Sequence, residues 1–160
     1  MPIQIINGDL IVMKTDAIVN AANTSLTMGG GVCGSIFRAA GIEAMTKACQ
    51  ALKSCPTGQA VITPGFNLAA RYVIHTVGPV WRGGQNREPE LLAACYQNSL
   101  QLILDHGGQS IAFPLISAGV YGYPKLQALS VAQKAIHDFL VSLNSSAKIE
   151  EELTVFLVLR

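Results

Sequence analysis

Residues 17–41 read AIVNAANTSLTMGGGVCGSIFRAAG and carry the pattern that decides the fold. The stretch opens with an apolar run typical of a buried strand, passes through a polar loop rich in glycine, and ends with apolar residues at helical spacing. Residues 110–124, SIAFPLISAGVYGYP, repeat the order of apolar run, glycine loop and helix start. Strand–loop–helix units along one chain indicate an α/β fold with a largely parallel sheet.

The rest of the chain alternates in the same way. The predicted strands span residues 3–6, 17–22, 60–63, 71–77, 110–116 and 153–159, and the predicted helices span residues 32–40, 42–52, 89–106 and 124–143. This alternation predicts helices on both sides of the central sheet. Residues 78–86 are rich in glycine and lack periodicity, so they are predicted to form a surface loop.

Length and composition exclude several classes of protein. The 160 residues suffice for one domain, and a hydrophobic fraction of 50% against a charged fraction of 13% excludes intrinsic disorder. The apolar runs are too short to cross a membrane. The formal net charge is +1, without a cluster of Lys and Arg, which disfavours binding to nucleic acid through phosphate neutralisation.

The four cysteines, Cys33, Cys49, Cys55 and Cys95, are irregularly spaced and form no CxxC pair. The spacing therefore does not predict a zinc site, and we expect the chain to use no metal and no cofactor. The N-terminus, MPIQIINGD, has no secretory pattern, so we expect reduced thiols in a cytoplasmic protein. Cys49 and Cys95 have apolar helical neighbours and are predicted to be core residues.

The two glycine loops are the first candidates for a binding site. In a parallel sheet both follow the carboxyl ends of strands, where open α/β sheets bind ligands. Glycine lets the backbone approach a ligand, and a helix that begins near Val32 adds the partial positive charge of its N-terminus. A single loop of this kind is explained as well by a tight turn, but two facing loops favour a phosphate or diphosphate site.

Other nucleotide-binding and catalytic patterns are weak. Residues 29–34 match GxGxxG, but no acidic residue occurs between Glu43 and Glu88, which disfavours a nicotinamide-dependent dehydrogenase. The chain has no GK[ST] and no GxSxG. His75 lies in a strand pattern typical of a buried, hydrogen-bonded histidine. Asp9 follows the first strand, where it can cap a turn or accept a hydrogen bond from an exocyclic amine.

Seven motifs in order give a specific family resemblance. They are NGD at 7–9, VNAANTSL at 19–26, GGGV at 29–32, RAAG at 38–41, CPTGQAVIT at 55–63, HTVGPVW at 75–81 and ISAGVYGYP at 116–124. Together they resemble a macro domain, an ADP-ribose-binding module, of the MacroD type that includes bacterial O-acetyl-ADP-ribose deacetylases. The resemblance implies a three-layer α/β/α sandwich with a mixed, mostly parallel sheet, formed as a single domain by residues 1–160.

The resemblance also implies roles for residues at the two ends of the ligand. Asp9 would recognise the adenine amine with the Leu10 backbone nearby, and Asn23 would contact the distal ribose. Asn20 would support the loop that carries Asn23. Leu159 stands where the family often places an aromatic ring against adenine.

Two loops would enclose the diphosphate and the distal ribose between them. The resemblance assigns one side to Gly30, Gly31 and Val32, and the other to Ser117, Ala118, Gly119, Val120, Tyr121 and Gly122, with Tyr121 packed near the distal ribose.

The chain departs from the MacroD pattern at the reacting centre. Enzymes of this type read GGGGVDGAIHRAAG, whereas this chain reads MGGGVCGSIFRAAG at 28–41. Cys33 replaces the aspartate thought to position or activate water, and Phe37 stands where histidine is common. The chain also ends at Arg160, directly after the last strand, where family members usually continue into a helix, and we expect either that the sequence is shortened or that this helix is absent.

Three functions follow from these observations as hypotheses. The first is a hydrolase of ADP-ribosyl esters, acting on mono-ADP-ribosylated Glu and Asp of proteins or on O-acetyl-ADP-ribose, with Asn23 and Cys33 as its catalytic candidates. The second is a reader that binds ADP-ribose without turnover, because a thiol cannot replace a carboxylate as a general base. The third is a regulator that binds RNA or a ribonuclease, which the charge pattern does not support.

Overall fold

The computed structural model describes residues 3–145 and 153–160. Its strands are β1 (Ile3–Asn7), β2 (Ala17–Ala21), β3 (Ala60–Pro64), β4 (Tyr72–Thr76), β5 (Ser110–Phe113) and β6 (Thr154–Leu159). Its helices are α1 (Gly31–Ala40), α2 (Ile42–Leu52), α3 (Glu88–Asp105) and α4 (Lys125–Ser145), with a short 3-10 helix at Leu10–Val12. None of these helices combines the length and apolarity needed to cross a bilayer.

The six strands form one sheet in the order β1-β6-β5-β2-β4-β3. All neighbouring strands pair in parallel except β3 and β4, which pair antiparallel. The mixed, mostly parallel sheet that the sequence and the resemblance predicted is therefore confirmed. The parallel strands place the segments after β1, β2, β4, β5 and β6 at one edge of the sheet.

Two apolar cores separate the sheet from the helices. Side chains of α3 and α4, such as Leu100 and Ile136, pack against one face of the sheet. Side chains of α1 and α2, such as Phe37 and Met45, pack against the other face. The central strand β2 is buried on both sides, because Val19 faces the first core and Ile18 the second. This is the expected three-layer α/β/α sandwich.

Two local predictions differ from the structure, and one short element was not predicted. The strand predicted at 110–116 ends at Phe113, because Pro114 has no N–H to continue the ladder. The loop predicted at 78–86 begins with Gly78 and Pro79 buried, so only its later part lies on the surface. The 3-10 helix at Leu10–Val12 was not predicted.

Candidate ligand-binding site

The segments that follow the parallel strands meet in pairs at one edge of the sheet. After β1, the Gly8 N–H donates to the Leu159 carbonyl at the end of β6, at 2.9 Å. After β2, the Ala22 N–H donates to the Thr76 carbonyl at the end of β4, at 2.8 Å. The sequence-predicted site residues lie on these segments, at the start of α1, or, for Asn20 and Leu159, near the carboxyl ends of β2 and β6, so the fold brings them to the same edge.

The β1 end of this edge carries Asp9 and Leu10. The Asp9 carboxylate is exposed and accepts the Ile11 N–H at 3.1 Å, which caps the 3-10 helix. The Leu10 side chain is buried in the core under α1. Leu159, at the end of β6, is half-buried and packs toward the α3–α4 core. Asp9 thus performs the predicted capping and still presents carboxylate oxygen to solvent.

Asn20 and His75 form a buried polar pair across β2 and β4. They are register partners, and the Asn20 Nδ2 lies 3.1 Å from the His75 Nδ1. Burial lowers the pKa of His75 to about 4, so the ring is neutral at physiological pH and accepts this N–H. The Thr63 Oγ1 lies 3.0 Å from the His75 Nε2 on the other side of the ring. His75 is therefore the hydrogen-bonded core histidine that the sequence predicted.

Asn20 also connects this buried pair to the start of α1. Its Nδ2 donates to the Cys33 Sγ at 3.6 Å, so the amide group bonds both His75 and Cys33. Its Oδ1 has no hydrogen-bond partner among the described residues, although the side chain is only 1% exposed. Asn20 thus bonds the first turn of α1 from beneath and offers one unused acceptor there.

Cys33 lies in the first turn of α1 and is 7% exposed. Besides the Asn20 amide, its sulfur accepts the Gly29 N–H at 3.4 Å, and its S–H donates to the Thr27 carbonyl at 3.8 Å. The thiol thus joins the β2–α1 loop to the helix. It occupies a largely enclosed position rather than projecting into solvent.

Asn23 shapes the same loop through Thr27. Its Nδ2 donates to the Thr27 carbonyl at 2.9 Å, and its Oδ1 accepts the Thr27 N–H at 3.0 Å. The side chain is half-buried. A ligand hydroxyl at Asn23 would therefore meet an amide group whose orientation is already fixed by the loop.

The N-terminus of α1 faces solvent without a side-chain cap. Gly30 is its N-cap residue and provides no side-chain hydrogen bond, and the first turn contains no acidic residue. Gly30 and Gly31 are exposed, and Val32 is half-buried. Free N–H groups and the helix dipole favour an anion at this point.

The β5–α4 loop faces α1 from the next strand. Ser117 has φ +67°, and its buried Oγ has no hydrogen-bond partner in the described part of the chain. The Tyr123 N–H donates to the Ser117 carbonyl, and the Gly122 N–H to the Gly119 carbonyl, which closes the loop on itself. Gly119, Val120 and Gly122 are exposed, whereas Ala118 and Tyr121 are half-buried.

Gly78, which follows β4, packs directly against this loop. A Cβ at Gly78 would lie 2.2 Å from the Ser117 Oγ and 2.6 Å from the Ile116 Cγ2. Only glycine leaves room for the Ser117 side chain as it stands. Gly78 therefore belongs to the site, although no role was predicted for it from the sequence.

Trp81 and Glu88 also hold this part of the site, and no role was predicted for either from the sequence. The Trp81 N–H donates to the Tyr121 carbonyl at 2.8 Å, so the β4–α3 loop is joined to the β5–α4 loop. Glu88 is a buried carboxylate that holds the β4–α3 loop. One sequence pattern could have identified Glu88: it is an acidic residue at the start of a helix, directly after a glycine-rich loop.

A cavity of about 570 Å³ lies elsewhere, where α1 meets α2, and is lined in part by Gly41, Ile42 and Phe66. The α2 N-terminus at this cavity also lacks a side-chain cap, but its first turn carries the acidic Glu43. We assign the ligand site to the strand ends instead, because two glycine loops and the α1 N-terminus, which has no acidic residue in its first turn, lie there. In residues 3–145 and 153–160, no three His, Cys, Asp or Glu side chains lie together as a metal site.

Glycine loops and a helix N-terminus at the strand ends of an α/β/α sandwich are the architecture of α/β proteins that bind anionic ligands. The chain belongs to the macro domain family, whose family model, "Macro domain", matches residues 19–132.

Relatives and solved structures extend this assignment. The chain is 54% identical over 142 residues to an O-acetyl-ADP-ribose deacetylase of Salmonella typhimurium, covering 86% of this chain and 79% of that protein. It is similar to a mutant Oceanobacillus iheyensis macrodomain solved with ADPR, with TM-score 0.85, 42% identity, and coverage of 97% of this chain and 82% of that one. It is also similar to the Trypanosoma brucei macrodomain in complex with ADP-ribose, with TM-score 0.86, 39% identity, and coverage of 98% and 63%.

Proposed function

We propose that this chain binds ADP-ribose at the strand-end edge and hydrolyses ADP-ribosyl esters. The observation that carries the proposal is that the two glycine loops, one of them leading into the uncapped α1 N-terminus, follow the adjacent parallel strands β2 and β5 at that edge. The macrodomains solved with ADPR or ADP-ribose and the relatives named O-acetyl-ADP-ribose deacetylase support it.

In this proposal the ligand lies across the strand ends, from β1 to α1. The Asp9 carboxylate accepts a hydrogen bond from the adenine amine. The backbone N–H groups of Gly30, Gly31 and the β5–α4 loop bind the diphosphate. The distal ribose then lies above Asn23 and Cys33. This order places the ester beside Cys33, the position where the MacroD pattern has its aspartate.

The proposed reaction adds water to the ester carbonyl carbon of O-acetyl-ADP-ribose. The bond between that carbon and the ribose oxygen breaks, and the products are acetate, with its proton, and ADP-ribose. Cys33 has no carboxylate with which to accept the proton of the water. Loss of a general base slows such reactions by about 10²–10⁴-fold, so we expect slow turnover unless the bound diphosphate takes that role.

A second candidate function is a reader of ADP-ribose without turnover. It is favoured by the position of Cys33, whose enclosed thiol is already bonded to Asn20, Gly29 and Thr27. Under either function the proposed partners are ADP-ribose, O-acetyl-ADP-ribose and mono-ADP-ribosylated proteins. The four cysteines, all within the described residues, are free thiols, which accords with the proposed cytoplasmic location.

The test compares the wild type with Cys33→Asp and Cys33→Ala. Isothermal titration measures ADP-ribose binding, and product release is followed from O-acetyl-ADP-ribose and from a protein mono-ADP-ribosylated on Glu or Asp. Wild-type turnover clearly above the rate without protein supports the hydrolase, even where Cys33→Asp is faster. Turnover by Cys33→Asp alone makes the native chain a reader. A wild-type chain that fails to bind ADP-ribose at millimolar concentration contradicts both functions.

A further inference from the structure

Glu88, the first residue of α3, is a buried carboxylate surrounded by the loop that precedes it. The side chain is 1% exposed. Its Oε2 accepts the N–H groups of Arg82 at 2.8 Å and Gly84 at 2.9 Å, and its Oε1 accepts that of Asn86 at 2.6 Å. Three charge-assisted hydrogen bonds to alternate residues fix the course of residues 82–86.

Backbone dipoles stabilise the negative charge of Glu88. Burial by itself would raise its pKa, but the N–H donors of Gly84, Arg82 and Asn86 outweigh burial and lower the pKa to about 2. Glu88 is therefore ionised at physiological pH and accepts all three bonds. By contrast, Glu90 in the same turn is largely exposed and lies 4.0 Å from Arg87, a surface ion pair of little energetic weight.

The loop that Glu88 holds continues directly into contacts with the β5–α4 loop. Trp81 precedes the first clamped residue, and its N–H donates to the Tyr121 carbonyl at 2.8 Å. Its ring lies against Tyr123, with centroids 4.6 Å apart. Gly84 passes close beneath the indole, because a Cβ there would lie 2.9 Å from the Trp81 Cη2.

We propose that Glu88 is a positioning residue for ligand binding, which acts through Trp81 on the backbone of residues 119–122. This inference rests on the proposed ADP-ribose function, since those residues face the proposed diphosphate site. Glu88 itself touches no ligand. Its carboxylate sets the β4–α3 loop, and that loop supports the β5–α4 loop from outside through the Trp81–Tyr121 hydrogen bond.

The position of the β5–α4 loop predicts which part of the ligand is affected. Asp9 follows β1, which is separated from β5 by β6 in the sheet. Two inter-strand spacings amount to about 10 Å, so a shift of residues 119–122 leaves the adenine end unchanged. A change at Glu88 should therefore weaken binding of ADP-ribose, which contains the diphosphate, and leave binding of adenosine, which lacks it, unchanged. General destabilisation of the fold would weaken both.

The experiment compares Glu88→Gln, Glu88→Asp and the control Glu90→Gln by titration with ADP-ribose and with adenosine. Glu88→Gln replaces an acceptor oxygen by an NH₂ group that faces N–H donors. We expect it to weaken ADP-ribose binding by about tenfold or more, the effect of losing one hydrogen bond to a charged group, with adenosine binding unchanged. Glu88→Asp should recover part of the loss, and Glu90→Gln should match the wild type.

Hydrogen exchange on the same proteins tests the coupling without any ligand. Faster exchange of the Trp81 and Gly122 amides in Glu88→Gln supports the proposal, and unchanged exchange there overturns it. Equal loss of ADP-ribose and adenosine binding, or no loss of either in folded Glu88→Gln, also overturns it. If the wild type binds no ADP-ribose, the proposed function is wrong. The exchange result still shows whether Glu88 is coupled to the β5–α4 loop.

A variant outside α3 keeps the test valid if Glu88→Gln does not fold. Gly84→Ala leaves the carboxylate in place but forces the loop away from Trp81, and Gly84 has φ +92°, which disfavours alanine. It should reproduce the selective loss of ADP-ribose binding. Wild-type binding by Gly84→Ala, with faster exchange at residues 82–86, would overturn the proposed route through Trp81.

Discussion

The variant Gly78→Ala tests directly whether the segment that follows β4 positions the β5–α4 loop. The added Cβ would lie 2.2 Å from the Ser117 Oγ and 2.6 Å from the Ile116 Cγ2, both far inside van der Waals contact. Ile116 is buried at 1% exposure and has little room to withdraw. Overpacking of this kind destabilises a protein by about 1–3 kcal/mol. For a chain of this size, that corresponds to a fall in Tm of about 2–12 °C.

The assay is thermal unfolding of the variant beside Gly8→Ala. Gly8 is the matched control, because no atom lies within 4 Å of its added Cβ and its φ is outside the left-handed region. The double variant Gly78→Ala/Ser117→Gly removes the nearest clash and should recover part of the lost stability. Ser117 has φ +67°, which glycine adopts without strain, so Ser117→Gly alone is needed to complete the cycle.

Two results would refute this account of Gly78. If Gly78→Ala unfolds at the same temperature as Gly8→Ala and the wild type, the close contact with Ser117 is not present in solution. If the effects of Gly78→Ala and Ser117→Gly simply add, the loss of stability arises elsewhere than in their contact.

Three further predictions follow from the site. Cys33→Asp should raise the rate of ester hydrolysis by about 10²–10⁴-fold at saturating substrate, and an unchanged rate in single-turnover assays would contradict a missing general base. The folded pKa of His75 is lowered, so stability should fall as the pH drops from 6.5 to about 4, and His75→Gln should make that slope shallower in urea titrations. The folded pKa of Glu88 is also lowered, so its contribution should be lost as the pH falls from 4.5 to about 2, a loss that Glu88→Gln should not show.

The elements of the fold could be predicted because their signals are local. The apolar run at 17–22 and the helical spacing at 32–40 depend only on neighbours in sequence, and both elements occur with boundaries shifted by one residue. The strand order was not predictable in the same way. It depends on which strands pair across long separations, as β1 does with β6. The antiparallel pairing of β3 with β4 left no separate signal either.

The parts of the candidate site that consist of consecutive residues after a single strand could be predicted from the sequence. The glycines at 29–31 and the loop at 117–122 could be recognised from consecutive residues, and the fold brings both to one edge. Gly78 and Glu88 could not be found in this way, since their importance lies in contacts with Ser117 and with the backbone of Arg82. Such contacts appear only when β4, β5 and α3 are packed together.

Binding and chemistry are separable in this chain because the loops are held by their own hydrogen bonds. Asp9 is bonded to Ile11, Asn23 to Thr27, and the Ser117 carbonyl to Tyr123, none of which involves the Cys33 sulfur. A change at Cys33 alters the bonds of its sulfur to Asn20, Gly29 and Thr27. It leaves the hydrogen bonds of Asp9, Asn23 and Ser117 in place, so we expect most of the proposed ligand contacts to persist. On this reasoning Cys33→Asp should change the turnover number far more than the Kd for ADP-ribose. A parallel change in both would mean that the thiol shapes the site as well as its chemistry.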